Sequence, residues 1–279
     1  MRQVFLADNL TVLKTIPDGS IDLIYIDPPF NTGKVQRLSR ITTSSSEEGS
    51  RKGFGGRKYV SKLVSNMSYS DNIEGYLPFL AARLKEAYRV LSDRGTIYVH
   101  IDYREVHYVK VIMDCIFGRE NFVNEIIWAY DYGAKPKNRW PAKHDNILMY
   151  VKGPNYFFNV AAIEREPYMA PGMVTKEKQL MGKLPTDCWW HTIVPTNGSE
   201  RTGYPNQKPL GILRRIIKAS SYEGQTVLDF FAGSGTTGEV CIELGREFIL
   251  IDNNPEAIGV MKSRFAKLGS SDDLRIEWR

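Results

Sequence analysis

A strand, a glycine-rich turn, a helix and a second strand follow one another between Thr226 and Asp252, and this unit restricts the possible folds. The strands span about 226–230 and 247–251, and between them lie the turn Phe231-Ala232-Gly233-Ser234-Gly235-Thr236-Thr237-Gly238 and a helix to about 244. A βαβ unit of this length joins parallel strands, and parallel strands are covered by helices. The sequence therefore predicts an α/β fold with a mostly parallel central sheet and helices on both faces.

The turn carries a G-x-G-x-x-G pattern at Gly233, Gly235 and Gly238, with Asp252 at the end of the next strand. Glycines let the backbone approach a ligand closely, and an acid at that strand end suits the hydroxyls of a ribose. A phosphate-binding Walker A loop is excluded because Glu239 occupies the position of its lysine. The pattern predicts a nucleoside-containing cofactor, and on this pattern alone an NAD-dependent oxidoreductase remains open.

A second motif, Asp27-Pro28-Pro29-Phe30, follows an isoleucine-rich strand at 21–26. Ligands of open α/β sheets bind beyond the carboxyl ends of the strands. The prolines stiffen the loop and lack N–H donors, while Asp27 accepts hydrogen bonds and Phe30 offers a flat apolar face. The motif predicts a site for a planar group that bears an amino function; the alternative is a plain turn that ends a strand.

The net charge of the 279-residue chain is +5, and it is concentrated after this motif. Residues 31–70 hold eight basic side chains against Glu47 and Glu48, a local balance of +6, so the rest of the chain is at −1. Because this segment is also rich in serine, threonine and glycine, it predicts a mobile basic loop at about 34–68 rather than a folded subdomain. A basic loop beside a strand-end site suits a polyanion such as nucleic acid; a solvated surface loop is the alternative.

The remaining elements follow from hydrophobic periodicity. Asp71 and Glu74 are placed as a capping box for the helix at 73–91, in which Pro78 points to a later first turn. Further strands are predicted at 4–6, 96–101, 125–129 and 147–151, and further helices at 10–16, 103–117, 209–220 and 255–268. From 153 to 203 periodicity fades, which predicts an irregular insertion.

Cysteines and histidines are scattered without ligand spacing, so neither a disulfide framework nor a metal site is expected. No apolar run approaches membrane-spanning length, and the amino terminus lacks signal-peptide character. The sequence predicts a cytoplasmic protein without a membrane segment.

Both motifs, in this order and with the basic segment between them, resemble the β-class amino-methyltransferases of DNA. Further segments that resemble the family are 124–128 (NEIIW), 144–148 (HDNIL) and 201–209 (RTGYPNQKP). One departure is Phe230, where the family commonly has proline. The resemblance extends through nearly the whole chain except the insertion and the basic segment. It implies a Rossmann-like methyltransferase fold with an irregular target-recognition insertion.

The resemblance also implies S-adenosylmethionine as cofactor and an exocyclic amino nitrogen of a DNA base as acceptor. Asp27, Pro28, Pro29 and Phe30 would be catalytic: the Asp27 carboxylate and the Pro28 carbonyl would hold the amino group, and Phe30 would stack on a base flipped out of the duplex. No Pro-Cys pair is present, so C5-cytosine chemistry is excluded. The cofactor would be bound by Asp8, Asp27, Gln207, Lys208, Pro209, Phe231, Ala232, Gly233, Ser234, Gly235, Thr236, Thr237 and Asp252.

The predicted partner is double-stranded DNA, contacted through two basic stretches. The candidate DNA-binding residues are Lys34, Arg37, Arg51, Lys52, Arg57, Lys58, Lys135, Lys137, Arg139 and Trp140. The chain divides into a catalytic part at 1–152, a target-recognition insertion at 153–203 and a cofactor-binding part of the same domain at 204–279. By the resemblance, a restriction endonuclease partner and a homodimer are further expectations.

The leading interpretation is N6-adenine DNA methylation, which Asp at position 27 favours by family habit. N4-cytosine methylation is the alternative, since both targets are exocyclic amines. From other classes, a non-catalytic DNA-binding homologue and an NAD-dependent oxidoreductase remain to be tested.

Overall fold

The structure is a computed structural model that describes residues 1–31, 34–45, 51–52, 58–71, 73–133 and 135–279. Within 34–71 the side chains described are those of Ser44, Lys58 and Val60, all exposed. The strands are β1 Arg2–Leu6, β2 Ile21–Ile26, β3 Lys34–Ser45, β4 Arg51–Lys52, β5 Lys58–Asp71, β6 Leu91–Ile101, β7 Phe122–Ala129, β8 His144–Val151, β9 Cys188–Trp190, β10 Thr226–Asp229, β11 Glu247–Asp252 and β12 Ile276–Trp278. The α-helices are α1 Asn9–Leu13, α2 Tyr76–Val90, α3 Val106–Phe117, α4 Lys176–Met181, α5 Leu210–Ser220, α6 Thr236–Glu243, α7 Pro255–Phe265 and α8 Ser271–Leu274.

One nine-stranded sheet runs in the order β12-β1-β11-β10-β2-β6-β8-β7-β9. Its neighbouring strands are parallel except for β6 with β8 and β8 with β7. The prediction of a mostly parallel α/β sheet is therefore confirmed. Strands β1, β11, β10 and β2 are consecutive neighbours, so their carboxyl ends, with the acids that follow or end them, meet at one edge.

Helices cover both faces because buried side chains on the central strands alternate between two cores. On β2, Leu23 and Tyr25 pack into one core with α5, α6 and α7. Ile24 and Ile26 pack into the other core with α1, α2 and α3. This alternation is what a strand buried on both faces requires, and it fixes the direction in which the strand end presents Asp27.

The segment predicted as a mobile loop at 34–68 contains strands instead. β3 pairs antiparallel with β5, and β4 adds to β5, in a separate three-stranded sheet. The loop prediction rested on the charge and serine content of the segment. The segment also contains β-branched and aromatic residues, which favour β-strands, among them Val35, Ile41, Tyr59 and Val60. The loop prediction is wrong for 34–45 and 58–71.

The predicted capping box at the start of α2 is also wrong. The residue before the helix is Gly75 at φ 65°, and no side chain caps the helix there. Pro78 lies in the first turn, where the missing N–H has no intrahelical acceptor to lose. The helix therefore begins at Tyr76, later than the periodicity alone indicates.

The carboxyl-terminal strand β12 was not predicted, because three residues carry no periodicity. It pairs parallel with β1 and forms the edge of the sheet beyond β1. The backbone N–H of Arg279 donates to the Val4 carbonyl at 2.8 Å, which closes this edge of the sheet. No helix in the described ranges combines the length and hydrophobicity that crossing a bilayer requires.

Candidate active site

Four acids from four strand ends gather at the carboxyl edge of the central sheet. Asp8 follows β1, Asp27 follows β2, Asp229 ends β10 and Asp252 ends β11. All four line one cavity of about 390 Å³. The βαβ unit and the Asp27 motif, about two hundred residues apart in sequence, thus build the same pocket because β2 and β10 are neighbours.

The cavity brings together most of the residues predicted for the cofactor. Its predicted lining residues are Asp8, Asp27, Gln207, Lys208, Phe231, Ala232, Gly233, Ser234, Thr236, Thr237 and Asp252, with Pro29 beside them. Gly235 and Pro209 do not line it. A volume of this size and a wall of backbone, aromatic and carboxylate groups are typical of a small-molecule site.

Two glycines of the turn are required by packing rather than by contact with the cavity. A Cβ on Gly235 would meet Met261 at 2.7 Å, and the residue has a φ of 74°. A Cβ on Gly238 would meet Phe265 at 2.5 Å and Leu250 at 2.7 Å. Because these positions are bare, α6 packs closely on the sheet and its first turn faces the cavity.

Asp252 both lines the cavity and supports the turn. One of its carboxylate oxygens accepts a hydrogen bond from the Gly233 N–H at 2.8 Å, and the other accepts from the Asn254 N–H at 2.9 Å. Burial raises the pKa of this carboxyl above its ordinary value. Since each oxygen can accept more than one hydrogen bond, Asp252 keeps acceptor capacity for a ribose.

Asp229 is a site residue that sequence analysis missed. It is buried beneath the turn, where it accepts from the Thr237 hydroxyl at 2.6 Å and from the Phe231 N–H at 3.1 Å. Its pKa is raised to about 7, because burial, together with the neighbouring Asp27 and Asp252 charges, outweighs the two hydrogen bonds, which lower it. Its position as the last residue of the strand before the glycine turn was the available signal.

The Asp8 carboxylate caps α1 and is held by an arginine. It accepts from the Thr11 N–H at 3.1 Å and from Arg83 at 2.8 Å. The Arg83 guanidinium also stacks 3.6 Å from the centroid of the Phe79 ring. Asp8 is therefore both the N-cap of α1 and a residue of the cavity wall.

Asp27 forms an ion pair with Lys208. The Lys208 Nζ lies 2.7 Å from the Asp27 Oδ2, and the lysine side chain is only 9% exposed. The other carboxylate oxygen, Oδ1, is buried and has no hydrogen-bond partner among the described residues. A buried carboxylate oxygen without a donor is costly, so this atom is suited to accept from a ligand.

Phe30 faces a second cavity, of about 470 Å³, that shares the stretch from Tyr204 to Lys208 with the first. Its other aromatic walls are Tyr103, Trp128, Tyr130 and Tyr132. The Lys208 Nζ lies 4.7 Å from the centroid of the Phe30 ring, so the ammonium covers part of one ring face. Asp27, which lines the first cavity, is therefore linked to the aromatic second cavity through Lys208.

A buried chain of hydrogen bonds supports the floor of the second cavity. The Tyr25 hydroxyl lies 2.8 Å from His100 Nδ1, His100 Nε2 lies 3.1 Å from Asp145, and the Tyr130 hydroxyl donates to Asp145 at 3.0 Å. Burial would raise the pKa of Asp145, but the His100 and Tyr130 hydrogen bonds and the Lys208 charge outweigh it and hold the pKa below its ordinary value. The chain links β2, β6 and β8 with the residue that follows β7.

The predicted DNA-contacting residues fall into two groups. Lys135, Lys137, Arg139 and Trp140 are exposed on the segment between β7 and β8, beside the second cavity. Lys34 and Arg37 lie on β3, Arg51 and Lys52 form β4, Lys58 begins β5 with an exposed side chain, and Arg57 lies outside the described residues.

Comparison with known proteins assigns the family. The family model described as DNA methylase, of the N6 and N4 type, matches residues 21–263. This range includes both motifs and the segment between them. The chain belongs to the DNA methylase family.

Two relatives are similar to this DNA methylase over most of its length. Type II methyltransferase M.HpaI of Haemophilus parainfluenzae is 33% identical over 264 residues, which cover 94% of this chain and 74% of the relative. DNA adenine methyltransferase YhdJ of Escherichia coli K12 is 31% identical over 278 residues, which cover 96% of this chain and 84% of the relative. The predicted resemblance to the amino-methyltransferases is confirmed, and the NAD-dependent oxidoreductase is excluded.

Solved structures have the same fold. The PvuII DNA methyltransferase, described as cytosine-N4-specific, superposes with a TM-score of 0.67 at 16% identity and covers 99% of this chain and 90% of its own. M1.HpyAVI in complex with SAM superposes with a TM-score of 0.58 at 21% identity and covers 95% of this chain and 99% of its own. At these identities the likeness concerns the fold, and it confirms the prediction of a Rossmann-like methyltransferase.

Proposed function

We propose that this DNA methylase transfers the methyl group of S-adenosylmethionine to the N6 amino group of adenine in double-stranded DNA. The observation that carries the proposal is the unpartnered Asp27 Oδ1 in the first cavity, on a carboxylate that is ion-paired with Lys208, which also lines the aromatic second cavity. A methyl donor in the first cavity and a flipped base in the second would meet at this carboxylate.

The residues present fit S-adenosylmethionine. Asp252 has acceptor capacity for the ribose hydroxyls, and the turn lines the cavity, as the predicted contact for the methionine portion, with Phe231 to Ser234, Thr236 and Thr237. Gln207 and Lys208 line the same cavity. When bound, the cofactor supplies an electrophilic methyl group on a sulfonium.

Asp27 and Pro28 would act on the acceptor. An exocyclic amino nitrogen is a poor nucleophile because its lone pair is delocalised into the ring. Hydrogen bonds from its two N–H groups to the Asp27 carboxylate and the Pro28 carbonyl would localise the lone pair and align it for attack. Catalysis is then positioning and electrostatics, and no covalent bond to the protein forms.

Phe30 would hold the base. Unstacking a base costs a few kcal/mol, of which an aromatic platform recovers a part. The Lys208 ammonium covers part of one face of Phe30, so stacking on that face requires the ammonium to turn off the ring. The aromatic walls of the second cavity offer further apolar contact.

The name of one relative favours adenine over cytosine as the methylated base. The YhdJ protein, which is 31% identical, is named as a DNA adenine methyltransferase. The cytosine-N4-specific neighbour is 16% identical, so its similarity supports the fold and not the choice of base. N4-cytosine methylation is the second candidate, because its amino group would make the same two hydrogen bonds.

DNA would be held by the exposed basic residues of the segment between β7 and β8. Replacing Lys135 and Arg139 with alanine should weaken binding to all sequences alike and reduce the salt dependence of binding by about one unit of slope per residue. A loss confined to one sequence would contradict phosphate contact. The insertion at 153–203 is the proposed target-recognition region. A restriction endonuclease partner and a homodimer remain predictions of the resemblance, and a cytoplasmic location remains a prediction of the sequence.

Expression in a host that lacks DNA methylation tests the proposal. Native sequencing of the host DNA should reveal N6-methyladenine at one recurring sequence, and the same gene with Asp27→Ala should leave the DNA unmodified. N4-methylcytosine instead would establish the second candidate. Unmodified DNA with the soluble, cofactor-binding wild-type protein would favour the non-catalytic homologue.

A further inference from the structure

The segment between β7 and β8, described at 130–133 and 135–143, is closed at its base beside the second cavity. The Tyr130 N–H donates to the Lys143 carbonyl at 3.0 Å, and the Lys143 ammonium donates to the Tyr132 carbonyl at 2.7 Å. Tyr132, Gly133 and Ala142 line the cavity from this loop. The base of the loop is therefore tied to the cavity that would receive the target base.

Trp140 projects from this loop with 95% of its surface exposed. Tryptophan is among the residues that are highly buried on average. Trp128 and Trp189, at 2% and 7% exposed, follow that rule, whereas Trp190 is 77% exposed. Pro141 follows Trp140 directly and biases the backbone of Trp140 toward an extended conformation.

The charges around Trp140 specify the kind of partner. Residues 133–143 contain Lys135, Lys137, Arg139 and Lys143 and no acid. The first three of these side chains are exposed. An aromatic ring among cations complements a partner that has both phosphates and stacked bases.

A base that leaves the duplex for the second cavity leaves a gap in the stack. Proteins that distort DNA often insert an apolar side chain between base steps, and an aromatic ring in such a position recovers about 1–3 kcal/mol of stacking. Trp140 is an exposed ring of this kind on a loop whose other residues border the receiving cavity.

We propose that Trp140 enters the base stack at the position vacated by the flipped target base, while Lys135 and Arg139 hold the flanking phosphates. This inference depends on the proposed function. It assigns to Trp140 a role in the flipping equilibrium rather than in methyl transfer or cofactor binding.

The test compares single-turnover methylation at saturating DNA on two duplexes, one with the target base paired and one with it mismatched. A mismatched base is already easier to flip, so it depends less on a ring that fills the gap. Trp140→Ala should slow methylation of the paired target by about 10-fold and that of the mismatched target by about twofold or less. Trp140→Phe, which keeps a ring, should recover most of the rate on the paired target.

Asn138→Ala is the matched control from the same loop, because Asn138 is also exposed but carries neither a ring nor a charge. It should leave DNA binding and both saturated rates near wild type. A 2-aminopurine at the target position should brighten on binding to wild type and less on binding to Trp140→Ala.

Equal slowing of both targets by Trp140→Ala, or no slowing of the paired target, would overturn the inference. A wild-type protein that methylates neither duplex would instead overturn the proposed function. The two failures are therefore distinguishable.

Discussion

The Lys208 ammonium donates to one oxygen of the Asp27 carboxylate, at 2.7 Å, and leaves the other oxygen without a partner in the described part of the chain. One carboxylate oxygen is therefore held by the lysine, and the other is available to accept a hydrogen bond from a ligand. Lys208 is thereby a positioning residue for Asp27, in addition to its predicted place in the wall of the cofactor cavity.

Replacing Lys208 with methionine, which is similar in length but uncharged, should lower the single-turnover methylation rate. Hydrogen bonds to charged groups contribute about 1.5–3 kcal/mol, which corresponds to about 10-fold to 100-fold in rate. Lys208→Arg keeps the charge and should lose less. Calorimetric titration should show that the substitution changes the affinity for S-adenosylmethionine less than it changes the methylation rate. A wild-type rate in the methionine variant would contradict the positioning role.

The raised pKa of Asp229 predicts that the stability of the protein depends on pH. Burial raises its pKa from 3.8 to about 7, so between these values the folded protein keeps a proton that the unfolded chain has released. The free energy of unfolding therefore falls as pH rises through this window, by up to about 1.4 kcal/mol per unit from this group. Above about pH 7 the loss is complete.

Asp229→Asn removes this proton linkage and can keep the hydrogen bonds to Phe231 and Thr237. The difference in Tm between variant and wild type should therefore shift in favour of the variant from about pH 5 to about pH 8. Differential scanning calorimetry at the two pH values measures it. The same difference at both pH values would show that Asp229 does not titrate in this range.

His100 is 0% exposed and joins Tyr25 to Asp145 through its two ring nitrogens. His100→Leu would leave the buried Tyr25 hydroxyl without its partner and Asp145 with only the Tyr130 hydrogen bond, which should cost about 2–4 kcal/mol of unfolding free energy. Tyr130→Phe removes one hydrogen bond at a half-buried position and should cost about 1 kcal/mol. Urea denaturation measures the unfolding free energy of both variants. An equal decrease in the two would contradict a central role for His100 in this chain of hydrogen bonds.

The strand ends and the glycine turn were predictable because each depends on local chemistry. Apolar runs bounded by turn residues identified β2, β10 and β11, and Asp27 and Asp252, at the ends of β2 and β11, identified the edge that carries the cavity. Their meeting in space follows from the pairing of β2 with β10, which the motif order of the family implied but the residues alone did not.

Other features depended on pairing partners that no local pattern reveals. β12 is recognisable only through its parallel pairing with β1. The His100 chain joins residues from four segments, and each of them separately looks like an ordinary strand residue. The strands β3 and β5 were not predicted because the basic, serine-rich composition of the segment is typical of a loop, although the residues between the basic ones favour β-strands.

The most direct test of the central claim is the identity of the methylated base. Purified protein is incubated with labelled S-adenosylmethionine and unmethylated duplex DNA, and the DNA is digested to nucleosides and separated. The label should appear in N6-methyladenine with the wild-type protein and should be absent with Asp27→Ala. Label in any other nucleoside, or equal label with both proteins, would contradict the assignment of Asp27 to the adenine amino group.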